Sequence, residues 1–113
     1  MPKVDLPPWQ QVAADTHPVL GAGPGPYAYR LLSDPGLLTQ FGAFIEELPA
    51  GSSSGRRHWH EAEDEMIVML SGEVVLVEDT ETTLTAGDVA TWPAGHPEIG
   101  RASCRERVAC VDL

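Results

Sequence analysis

Cysteine is missing from the chain until Cys104, and Cys104 and Cys110 both fall in the last ten residues of 113. A disulfide framework is thereby excluded, so the fold has to stand on its apolar core. Positive charge is scarce as well: 7 Lys and Arg stand against 17 Asp and Glu, a net charge of −10. That balance favours solubility and disfavours phosphate backbones or anionic lipid as partners, so neither nucleic acid nor membrane is expected. Apolar runs are short. Nowhere do about 18 apolar residues follow one another, and the start "MPKVDLPPWQQ" carries no apolar stretch of signal-peptide length, which gives a cytoplasmic expectation. The length suits a single domain.

What is present is a chain of short β-like runs cut by turn residues. Residues 1–26 are rich in Pro and Gly ("LPPWQQVAADTHP", "GAGPGP") and read as an N-terminal arm, with room for one helical turn at Gln10 to Ala14. Residues 27–98 read as a β-domain. Its predicted strands are Tyr27 to Leu32, Thr39 to Leu48 after an "SDPG" turn, and a short run Arg57 to His60 beyond the "PAGSSSG" loop. Glu65 to Leu70 and Glu73 to Glu78 are apolar runs separated by Ser71 and Gly72, the pattern of a two-residue hairpin. Thr83 to Ala86 is a brief strand, and Pro93 restricts the next, "VATWPAG", to an edge or its own end. Short strands at close spacing predict an all-β sandwich or barrel.

The chemistry concentrates in "RHWHEAEDE", Arg57 to Glu65. In a strand alternate side chains share a face, so His58 and His60 point one way and Trp59 the other. Glu65 opens the following strand, and if that strand lies beside the first its carboxylate reaches the same space. Two imidazoles and one carboxylate with open positions suit a divalent transition metal: iron, manganese, zinc, nickel or copper. The competing reading is a polar loop end with a chance His-x-His. Glu61, Glu63 and Asp64 lack the spacing of a calcium loop and read as a solvated bend. The serine run has no base beside it, and "GAGPGP" has neither the donors nor the lysine of a phosphate loop. His17 reads as a surface residue, and Trp9 as a fastener for the arm.

The spacing His-x-His, four residues, Glu, six residues, Gly is met by His58, His60, Glu65 and Gly72, and it resembles the first signature motif of the cupin superfamily. The glycine usual upstream falls at Ser52, next to Gly51. A second cupin motif begins at Gly87, Pro93 and Gly95, but Glu98 stands where its histidine belongs, and His96 comes two residues early. The resemblance is to small single-domain cupins. It implies a double-stranded β-helix, or jelly-roll barrel, holding a metal through His58, His60, Glu65 and a later histidine. It also implies a small-molecule ligand or substrate. Met66, Val68, Leu70, Val75 and Val77 are expected to supply an apolar wall, with the inward set left open. An oxygenase or isomerase reaction and a non-catalytic binding or sensing role without metal both remain open, as does a homodimer.

Residues 99–113 form an atypical tail: "IGRASCRERV" is basic in an acidic chain and lacks strand alternation. Written as the codons atc gga aga gcg tcg tgt agg gaa aga gtg, those ten residues resemble a short-read sequencing adapter. The natural coding sequence is therefore expected to end near Pro97 or Glu98. The competing reading takes Arg107 to Leu113 as a genuine closing strand.

Overall fold

The computed structural model describes residues 3–14, 16–17, 21–22, 25–53, 63–95 and 101–113. The strands are β1 (Gln10–Val12), β2 (Thr16–His17), β3 (Gly21–Ala22), β4 (Tyr27–Leu31), β5 (Phe44–Leu48), β6 (Glu65–Ser71), β7 (Val74–Val77), β8 (Glu81–Leu84), β9 (Val89–Trp92), β10 (Arg101–Cys104) and β11 (Val108–Asp112). One turn of 3-10 helix, Asp34–Gly36, occupies the "SDPG" turn. All pairings are antiparallel. A six-stranded sheet runs in the order β1-β4-β5-β11-β6-β9, a three-stranded sheet in the order β10-β7-β8, and β2 pairs with β3. The two larger sheets enclose the core as the layers of a jelly roll.

Alternation decides what faces inward. Leu48, Met69, Val74, Leu84, Cys104, Val108 and Cys110 form the main buried cluster, with Tyr27, Ile67 and Ala90 packed against it. Leu76 and Trp92 form a second, sharing Ile67 and Ala90. On β6 the inward set is therefore Ile67 and Met69, in phase with Glu65. Met66, Val68 and Leu70, the alternate set, point away from the core. β7 contributes Val74 and Leu76 to these clusters, and Val75 is buried as well.

The hairpin expected across Ser71 and Gly72 does not form. Gly72 does take a positive φ of 84°, but β6 pairs with β11 and β9 while β7 pairs with β10 and β8. The tight turn carries the chain from one sheet to the other. Both flanking strands have an apolar inner face, so each finds a better partner across the barrel topology than in the other. The helical turn expected at Gln10 to Ala14 is also replaced: Gln10–Val12 adds to the edge of the sheet against Tyr27, Ala28 and Tyr29. The arm is fastened as foreseen at Trp9, since the Arg30 guanidinium lies 5.2 Å from that ring and its Nε–H donates to the Pro7 carbonyl at 2.9 Å. The tail, expected to lack strand structure over 99–108, supplies β10 at Arg101–Cys104, and β11 completes the six-stranded sheet between β5 and β6.

Candidate functional site at the Glu65 end of the barrel

Glu65 is the first residue of β6 and stands across from Trp92 of β9. Its phase with Ile67 and Met69 places it on the inner face, at the end of the barrel where the chain arrives from the His-x-His segment. Trp92 is 4% exposed and donates its indole N–H to Glu78 at 3.2 Å, which fixes the ring beside Glu65. Asp64 accepts the backbone N–H of Ala94 at 2.7 Å. That bond ties the acidic bend to the Pro93–Gly95 turn, the two stretches that carry the two motifs.

Two adjoining clefts of about 650 and 620 Å³ open here, and Phe41, Asp64, Glu65 and Leu113 line both. Their size is that of a small-molecule site. The second cleft adds Met66, Thr91, Trp92 and Pro93, an apolar and aromatic wall beside the two carboxylates.

Deeper on the same inner face lie Glu46 of β5 and Cys110 and Asp112 of β11, whose donor atoms all fall within 4.8 Å of one another. Glu46 stands opposite Cys110 in the sheet register. Burial pushes the Glu46 carboxyl up to about 9, helped by its hydrogen bond to Asp112 and by the negative charges of Asp112 and Glu65. Asp112 is raised as well, first by burial, while its bonds to Glu46 and Cys110 oppose the rise. The pair thus holds a proton in common near neutral pH, because two buried carboxylates at contact distance cannot both be charged. Cys110 directs its Sγ at Asp112 at 3.8 Å.

The sequence pointed to His58, His60 and Glu65 as metal ligands. Glu65 stands on the inner face of β6, whereas His58 and His60 lie outside the described residues, as do His96 and Glu98. Oxygen donors gathered on one inner face fit a divalent cation in chemistry. Sequence reasoning missed Glu46 and Asp112. The signal for Glu46 was its phase: Phe44, Glu46 and Leu48 share one face, so an acid occupies an inward position.

A profile of the cupin domain family matches residues 44–101. Among solved structures, one described as a sugar phosphate isomerase of the cupin superfamily, from Silicibacter pomeroyi DSS-3, superposes with a TM-score of 0.80 at 29% identity. That match covers 98% of this chain and 73% of the other. A predicted oxalate decarboxylase from Thermotoga maritima matches with a TM-score of 0.70 at 21% identity, covering 97% and 90%. An RmlC-like cupin from Shewanella frigidimarina matches at 0.59 and 22%, covering 91% and 81%. At those lower identities the likeness is one of fold alone. No curated protein matches the chain. With the family profile spanning half of the sequence and the jelly roll in place around Glu65, the chain belongs to the cupin family.

Proposed function

We propose that the protein is a metal-binding cupin that acts on a small molecule, its divalent transition metal held by His58, His60 and Glu65. The observation that carries this reading is the inward position of Glu65 at the mouth of the paired clefts, five residues after a His-x-His pattern. Iron, manganese, zinc, nickel or copper all suit such ligands. The metal would supply Lewis-acid polarisation of a bound oxygen or an open coordination position. Around it the chain's own groups do three things. Trp92 and Phe41 offer apolar contact to one side of the ligand. Asp64 holds the β9 turn against the site. The Glu46 and Asp112 pair keeps a shared proton at the barrel interior, where it can be given or taken.

The resemblance to a sugar phosphate isomerase favours isomerisation of a hydroxylated substrate over oxygenation, and proton transfer by an interior carboxyl suits that chemistry. The alternative is a barrel that binds or senses a small ligand without turnover. Elemental analysis of purified protein tests the site: His58→Ala or His60→Ala should lower metal content at least tenfold, because losing one of few ligands weakens affinity strongly. Unchanged content would remove the metal reading. Acidification below the imidazole pKa should release the metal, since ligand histidines must be neutral. Turnover of aldose or ketose phosphates separates enzyme from sensor, for which thermal stabilisation by the same compounds without product is expected.

We propose further that residues 99–113 replace the natural end of the domain. The codon reading of "IGRASCRERV" supports this, together with Glu98 at the place of the motif's histidine. Resequencing the source gene across Pro97 to Leu113 from a distant downstream primer tests it: a histidine soon after Gly95 and different closing strands are expected, and an unaltered tail overturns the idea.

A further inference from the structure

Ser33 and Ala43, both buried, close the base of a surface loop. The Ser33 hydroxyl oxygen accepts the Ala43 N–H at 2.9 Å, and the Ala43 carbonyl accepts the N–H groups of Leu32 at 2.9 Å and of Ser33 at 3.2 Å. The ends of the loop are thereby pinned together. Beyond its single turn of 3-10 helix the bonding stops. Among the described residues, no hydrogen bond is made by the backbone of Thr39, Gln40, Phe41 or Gly42. A loop with a fixed base and an unbonded tip rearranges at low cost.

The tip carries apolar side chains in water. Leu37 is 85% exposed, Leu38 49% and Phe41 57%. Leu37 also holds a φ of 60°, a conformation that a bulky side chain rarely adopts. Backbone strain and exposed apolar surface both favour a second arrangement of this segment. Its position says which one: Gln40, Phe41 and Gly42 line the first cleft together with Glu63, Asp64 and Glu65. Phe41 also lines the second cleft, with Trp92 and Pro93. A Cβ added at Gly42 would meet nothing within 4 Å, so the loop has open space to move through at that end.

We infer that residues 37–42 are a lid over the Glu65 clefts, swinging about the Ser33–Ala43 base and laying Phe41 across the occupant. Closing takes the Phe41 ring out of water, so the ring's own burial drives the motion. It also shuts solvent out of the space around Glu65, which strengthens every charge interaction there. Phe41 is then the residue that covers the occupant, and it selects one that presents an apolar or C–H face. This rests on the reading of the clefts as a small-molecule site and adds what controls entry to them. Residues 33–43 and 63–65 all precede the atypical tail, so the lid belongs to the part of the chain that the tail does not touch.

The test is a disulfide across the mouth of the first cleft, made in the full chain with Gln40→Cys and Glu63→Cys. Both positions are exposed, and the native thiols are buried and do not compete. An unchanged circular dichroism spectrum shows that the fold is kept. A cleft of about 650 Å³ is roughly 9 Å across, whereas a disulfide needs Cα atoms within about 7 Å, so the bond forms only if the loop moves inward. With oxidised glutathione an intramolecular bridge is expected by mass spectrometry, forming about threefold more slowly when Phe41→Ser is added. Protein loaded with manganese(II), which thiols bind weakly, should yield it to a chelator on the order of tenfold more slowly when bridged than after reduction. Absence of the bridge in folded protein overturns the inference. So does a bridging rate that Phe41→Ser leaves unchanged, or a chelation rate that bridging leaves unchanged. Failure to take up manganese counts against the metal site alone, and the bridge with its dependence on Phe41 then decides the lid.

Discussion

Glu46 shares the inner face of β5 with Phe44 and Leu48, and its carboxyl stays protonated well above the ordinary 4.5 because burial, then Asp112 and Glu65, disfavour its charge. A group whose folded pKa is raised adds stability that is complete below the unfolded value and lost as pH climbs through the folded one. Metal-free protein should accordingly melt at progressively lower temperature between about pH 4.5 and 9, and Glu46→Gln, which keeps the shape without the charge, should flatten that slope. A slope unchanged in the variant would assign the pH dependence to other groups. The two thiols behave as core residues. Burial pushes Cys104 up to about 11, and Cys110 is raised further by burial and by the charges of Asp112 and Glu46. Reaction requires thiolate and access, so iodoacetamide should label neither in native protein at pH 7 and both once denaturant is added, as read by mass spectrometry.

Among elements, the turn at Gly72 separates what local pattern can tell from what it cannot. "LSGEV" signals a tight reversal with a glycine at positive φ, and that is what forms. Whether the flanking strands pair with each other depends on residues 24 or more positions away, because β11 and β10 compete for their edges. A Cβ at Gly72 would lie 2.2 Å from the Arg107 carbonyl oxygen and 2.9 Å from the Val108 Cα, backbone atoms that cannot swing aside. Gly72→Ala should therefore lower stability by on the order of 3 kcal/mol in urea unfolding, combining left-handed strain with the clash. A loss below about 1 kcal/mol would mean that β11 does not pass so close to the turn. Glu65 shows the same division: its motif spacing was legible, but its inward direction became definite only through the pairing of β6 with β9.

For the whole molecule, β11 is the decisive strand. It lies between β5 and β6 in the middle of the six-stranded sheet, and it brings Val108 and Cys110 into the core. Deleting residues 99–113 would leave two inner edges unpaired and the main cluster open, so the truncated chain should lose cooperative unfolding and expose apolar surface to a dye. Whatever its origin, the tail sequence alternates from Val108 to Asp112 in a way the sheet can use, and its neighbours supply the register.

Composition, strand spacing and the two motif fragments were enough, by themselves, to fix the all-β class, the single barrel and the family. Each is a local or additive property: charge counts, a period of two, residues at set intervals. Tertiary structure alone decided which face of β6 looks inward, that Glu46 and Asp112 meet on the inner face near Glu65, and that an apolar row crosses four strands on the outside. All three depend on pairings between segments far apart in the chain. Such pairings are chosen by competition among strands for partners, and that competition has no local signature.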